Sequence, residues 1–184
     1  MDIRKREAIN TKAERRSSLR KKSALNKKRS YNRRKKDRHR DIYRIYTDGA
    51  CDHVQNCSGW ACIIIKDNCE PLNFSGSMVS NNSTRVEMTA IIKALKKIPN
   101  PSNIHIYTDC LVVVNGMKRQ DNCWDKEYRA LDGSKIKNQD LWITLGLLAR
   151  MHNISWHYVK AHDGNFFNEE ADKLAREKMT KLRT

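Results

Sequence analysis

Residues 42–47 (IYRIYT) alternate in polarity and are rich in β-formers, which predicts a strand. Residues 59–66 (GWACIIIK) predict a second, mostly buried strand, and residues 69–78, with Phe74 and Met78 among polar neighbours, a third and weaker one. Short turns separate the three, so an antiparallel meander is expected. In residues 84–97 (TRVEMTAIIKALKK), Val86, Ala90, Ile91 and Leu95 share one helical face, and Pro99 and Pro101 end the helix. Residues 103–108 (NIHIYT) predict a fourth strand, 110–118 a short helix, 138–151 an amphipathic helix, 154–159 (ISWHYV) a fifth strand and 166–181 a closing helix. This order predicts a mixed α/β fold with a central five-stranded sheet flanked by helices.

The pattern begins only near Asp41. Residues 1–40 are low in complexity, and their Ile3, Ile9, Leu19 and Leu25 form no stripe at helical spacing. The net charge of +16 concentrates there, with 18 Lys and Arg against 4 Asp and Glu in those forty residues. A segment of this kind buries too little surface to order itself, so it is read as a disordered basic arm. The body, residues 41–184, is close to neutral. A cationic arm on a neutral body calls for a polyanion, most often nucleic acid, with solubility or targeting as the plainer alternatives. The longest apolar run, residues 60–65, is far too short to span a membrane, and no apolar block marks a secretory signal. The six cysteines contain no C-x-x-C, which argues against zinc and for free thiols in an intracellular, reducing compartment, the cytoplasm or the nucleus.

Four acids occupy informative places. Asp48 ends the first predicted strand in Y-T-D-G, and Asp109 ends the fourth in Y-T-D-C. If those strands are neighbours, both carboxylates reach one edge of the sheet. Glu87 lies one turn into the first helix and Asp172 near the start of the last. Singly, each has a plain reading: a turn former at Asp48, a helix cap at Asp109, a dipole partner at Glu87, a surface charge at Asp172. Together they repel one another unless a cation neutralises them, and hard Mg²⁺, with oxygen ligands, suits phosphate chemistry. His162, in V-K-A-H-D-G-N after the fifth strand, is placed to move a proton.

The body resembles the type 1 ribonuclease H family. The match runs from about Tyr43 to Lys178 through Y-T-D-G-A at 46–50, R-V-E-M at 85–88, I-Y-T-D at 106–109, K-N-Q-D-L-W at 137–142, W-H-Y-V-K-A-H ending at His162 and N-E-E-A-D ending at Asp172. The resemblance implies an RNase H-like fold, with three antiparallel strands followed by two parallel additions. It implies an endonuclease that hydrolyses the RNA strand of RNA–DNA hybrids with two Mg²⁺ ions, Mn²⁺ being an alternative, and leaves 5′-phosphate and 3′-hydroxyl ends. The metal-binding acids then fall on Asp48, Glu87, Asp109 and Asp172, with His162 assisting proton movement or product release. Asn82, Ser83 and Thr84 fall on the polar approach to Glu87, and Thr84 or Arg85 at a DNA-phosphate pocket. Residues 117–136 resemble the basic protrusion of cellular members, in which Lys118, Arg119, Trp124, Lys126 and Arg129 would grip the DNA strand; a plain solvated helix and loop is the alternative. The arm lacks the aromatic and glycine pattern of the hybrid-binding domain that many eukaryotic members carry. A monomer is expected. The competing functions are an integrase-like DNA-processing enzyme and a non-catalytic nucleic-acid-binding module on the same fold.

Overall fold

The computed structural model describes residues 41–118, 128–130 and 132–182. The arm at 1–40, and Arg119, Trp124 and Lys126 of the protrusion, lie outside the described residues.

Five strands form one mixed sheet: β1 (Ile42–Asp52), β2 (Cys57–Lys66), β3 (Leu72–Val79), β4 (Asn103–Thr108) and β5 (Asn153–Tyr158). Their spatial order is β3-β2-β1-β4-β5. The first three are antiparallel, and β4 and β5 add in parallel. Among the described residues, four helices accompany the sheet: α1 (Ser83–Leu95), α2 (Leu111–Lys118), α3 (Gln139–Ala149) and α4 (Phe166–Leu182). Among the described residues no helix is long and apolar enough to cross a membrane.

Strand alternation sends successive side chains to opposite faces, and both faces are covered. Ile45, Cys62, Ile64, Ile104 and Ile106 join Met88, Ile91 and Leu95 of α1 and Leu145 of α3 in the main core. Tyr46, Ile63 and Ile65 point the other way and pack with Ala171 of α4. The approach of α4 to β2 depends on Gly59, where a Cβ would overlap the carbonyl oxygen of Ala175. Asn82 caps α1, its Oδ1 accepting the Arg85 N–H at 3.2 Å.

One sequence expectation needs correction. Asp48 does not end its strand. β1 continues to Asp52, because its antiparallel pairing with β2 runs on through Asp48–Ala61 and Gly49–Trp60 to Asp52–Cys57. What ends near Asp48 is the parallel partner: the last β1–β4 pair is Thr47–Thr108. Beyond it, the Thr108 Oγ1 accepts the Cys110 N–H at 3.1 Å and the chain turns into α2. The sheet therefore opens a crevice at the carboxyl end of its parallel pair, where open α/β sheets commonly place ligands.

Candidate metal centre

The register places the two strand acids side by side. Tyr46 and Tyr107 face each other across β1 and β4, with ring centroids 4.7 Å apart and planes 11° from parallel. Two residues beyond them stand Asp48, still within β1, and Asp109, just past the end of β4. Glu87 arrives from α1 on the opposite layer. It reaches the crevice because Gly49 has no side chain: a Cβ there would lie 2.9 Å from Val86 Cγ1 and 3.0 Å from the Glu87 nitrogen. The Gly49 N–H then donates to Glu87 Oε1 at 2.8 Å and to Asp48 Oδ1 at 2.6 Å.

Asp48, Glu87 and Asp109 each offer one oxygen, and the three atoms lie within 4.8 Å of one another. Asp48 and Glu87 are buried, at 6% and 7% exposure. Burial pushes the Asp48 carboxyl up to about 7, reinforced by the charges of Asp109 and Asp172 and opposed by the Gly49 N–H. Burial likewise raises Glu87 well above the ordinary range, with Asp48 and Asp109 adding to it. Asp109 is raised by burial and by Asp172, against a lowering contribution from His162. Burial is the largest cause of each shift, and repulsion among the carboxylates adds to it. Glu87 Oε2 is buried without a hydrogen-bond partner among the described residues. An all-oxygen set with an orphaned carboxylate oxygen fits a hard divalent cation such as Mg²⁺ or Mn²⁺.

The three acids line an open cavity of about 380 Å³, together with Ser83, His162, Asn168, Asp172 and Arg176. Asp172 stands in its wall rather than within the close trio, and its Oδ1 accepts the Arg176 Nε–H at 2.7 Å. His162 sits in the turn after β5 with φ of 52°.

The residues expected to meet nucleic acid divide. Ser83 lines the cavity. Asn82 is occupied as a cap and also donates from Nδ2 to Asn138 Oδ1 at 3.1 Å. Thr84 is half-buried and outside the cavity lining. The Arg85 guanidinium is committed to both oxygens of Asp140, at 3.0 and 2.6 Å. Lys118 ends α2 exposed. Arg129 donates to the Gly133 carbonyl at 3.5 Å.

Sequence reasoning missed His53, which lines the cavity with its Nδ1 donating to the Asn81 carbonyl at 2.8 Å. No local signal marks it, since only the fold brings the β1–β2 turn beside the segment entering α1. Asn168 and Arg176 were also missed. They precede and follow Asp172 by four residues, and that helical spacing alone puts them on its face.

The ribonuclease H family model matches residues 40–180. Ribonuclease H of Ehrlichia canis (strain Jake) is 38% identical over 138 residues, covering 74% of this chain and 94% of its own. Ribonuclease H of Thiobacillus denitrificans is 35% identical over 144 residues, covering 78% of this chain and 97% of its own. Among solved structures, LC9-RNase H1, described as a type 1 RNase H with the type 2 active-site motif, superposes with a TM-score of 0.68 at 20% identity, over 77% of this chain and 74% of that one. LC11-RNase H1 in complex with an RNA/DNA hybrid superposes with a TM-score of 0.58 at 16% identity, over 77% of this chain and 99% of that one. Fold and acidic centre thus define a nuclease of the RNase H-like class. The chain belongs to the ribonuclease H family, and it is an enzyme of that family.

Proposed function

We propose that this enzyme hydrolyses the RNA strand of RNA–DNA hybrids endonucleolytically, leaving 5′-phosphate and 3′-hydroxyl ends, with a pair of Mg²⁺ ions held by Asp48, Glu87, Asp109 and Asp172. The observation that carries the reading is the convergence of Asp48, Glu87 and Asp109 within 4.8 Å on the wall of one cavity. Bound there, divalent ions supply Lewis-acid stabilisation of phosphate charge and acidify a water to make it a nucleophile.

The chain's own groups do the rest. The Gly49 N–H fixes one oxygen of Asp48 and one of Glu87, so neither carboxylate swings away from the crevice. The unpartnered Glu87 Oε2 is the buried acceptor of the set. Water oxygen attacks phosphorus and gives up a proton to solvent as the bond to O3′ breaks, and the departing O3′ takes a proton. His162 lines the cavity, which supports assigning it to supply that proton or to assist product release. Ser83, on the same wall, meets the RNA strand, and choice of RNA over DNA rests on 2′-hydroxyls and groove shape.

We read residues 1–40 as a nucleic-acid-binding arm and 41–184 as a catalytic domain acting as a monomer inside the cell. Lys118 and the protrusion beyond it would hold the DNA strand by its phosphates. The test is a panel of end-labelled hybrid, duplex DNA and duplex RNA with Mg²⁺, Mn²⁺ or chelator. Cutting confined to the RNA of the hybrid, abolished by chelator and by Asp48→Asn, is the expected result. Equal cutting of duplex DNA, or tight binding without cutting, overturns it.

A further inference from the structure

Arg176 has no part in the chemistry above, yet it lines the same cavity. It follows Asp172 by one turn of α4, and its Nε–H donates to Asp172 Oδ1 at 2.7 Å. Asp172 needs such a partner. It lines the same cavity as Asp48 and Asp109, and like charges so close favour a side chain that leans away unless something holds it. Asp172 is nonetheless drawn in, with its side chain 20% exposed against 60% for Arg176. The hydrogen bond occupies Oδ1 and leaves Oδ2 for the cavity that Asp172 lines.

We propose that Arg176 is a positioning residue for the metal centre: it holds Asp172 by one oxygen, so that the other is presented to a divalent ion. The inference rests on the reading that Asp172 is a ligand. Carboxylates that bind metal are themselves commonly fixed by an outer hydrogen bond, whose loss weakens metal binding by roughly 10- to 100-fold. The exposed rim places Arg176 near the lower figure, because water and salt screen the pair.

The test is calorimetric titration of Mn²⁺ into the folded full chain and its Arg176→Ala, Arg176→Lys, Asp172→Asn and Asp172→Asn/Arg176→Ala variants, with hybrid cleavage followed against Mg²⁺ concentration. The expected result is Mn²⁺ affinity weakened about tenfold in Arg176→Ala and largely restored in Arg176→Lys, whose ammonium can also reach four residues back along the helix. The Mg²⁺ concentration for half-maximal cleavage should shift more than the rate at saturation, and the double variant should bind no worse than Asp172→Asn. Affinity unchanged or increased in Arg176→Ala overturns the proposal, as does a loss in the double variant that adds to the loss from Asp172→Asn. If Asp172→Asn itself binds Mn²⁺ and cleaves like the parent, the ligand role of Asp172 fails instead, and the inference falls with it.

Discussion

The Gly49 N–H donates to Glu87 Oε1 at 2.8 Å, across the boundary between the sheet and the helical layer. This bond couples a backbone position in β1 to the buried acid of α1. It exists because position 49 carries no Cβ.

Gly49→Ala should therefore damage the centre without altering any acid. The added methyl would meet Val86 Cγ1 at 2.9 Å and Glu87 Oε1 at 3.1 Å, so α1 must move away from β1. Overpacking of this kind costs roughly 1–3 kcal/mol. Thermal melting should show that loss, and Mn²⁺ titration should show weakened binding in protein that remains folded.

The raised carboxyls make the metal-free protein sensitive to pH. A group whose folded pKa exceeds its unfolded value binds more protons when folded, so its stabilising contribution is full below the unfolded value and is lost as pH rises through the folded one. For Asp48 that window runs from 3.8 to about 7. Metal-free protein should lose stability over this range, as denaturant midpoints at pH 5 and pH 8 would show. Asp48→Asn removes the buried charge and should stabilise the metal-free protein at pH 8 by roughly 2–4 kcal/mol while abolishing cleavage.

Metal binding should show the opposite pH dependence, because ligand oxygens must be deprotonated to bind. Mn²⁺ affinity measured by calorimetry should fall as pH drops below about 7, the value to which Asp48 is raised. Affinity constant from pH 5 to pH 8 would contradict the assignment of Asp48 to the centre.

At the entrance to α1, the cap should outweigh the ion pair. Asn82→Ala removes an N-cap, typically worth about 1 kcal/mol, together with the bond to Asn138. Arg85 and Asp140 are 36% and 60% exposed, and exposed pairs are typically worth roughly 0.2–1 kcal/mol, with two-point geometry placing this one towards the upper end. A double-mutant cycle on Arg85 and Asp140, set beside the melting of Asn82→Ala, checks the order.

Removing residues 1–40 takes away 18 Lys and Arg against 4 Asp and Glu. Hybrid binding should weaken, and the dependence of log affinity on log salt should flatten, since fewer counterions are released. The rate on saturating hybrid should stay close to that of the full chain. Equal affinities at low salt would leave the arm with a solubility or targeting role.

Periodicity was enough to outline the elements, since a strand or helix facing a core repeats every two or about 3.6 residues whatever its partners. It predicted nine elements in the right order, the fourth strand at Asn103–Thr108 among them, but stopped the first strand at residue 47 where β1 runs on to Asp52. The matched Y-T-D motifs do come to the same end of the parallel pair, because pairing in register carries equal positions to equal heights, although only β4 stops there. Other features had no local code. Asp48 looked like a turn former before Gly49, but a strand ends only where its last neighbour leaves, and β2 stays paired with β1 to Asp52. The engagement of Arg85 by Asp140, and the entry of His53 into the cavity, join residues that are distant in sequence. Residue types and their spacing thus determined which acids were available and on which elements. Only tertiary structure decided which of them crowd together, because burial and repulsion depend on distance through space.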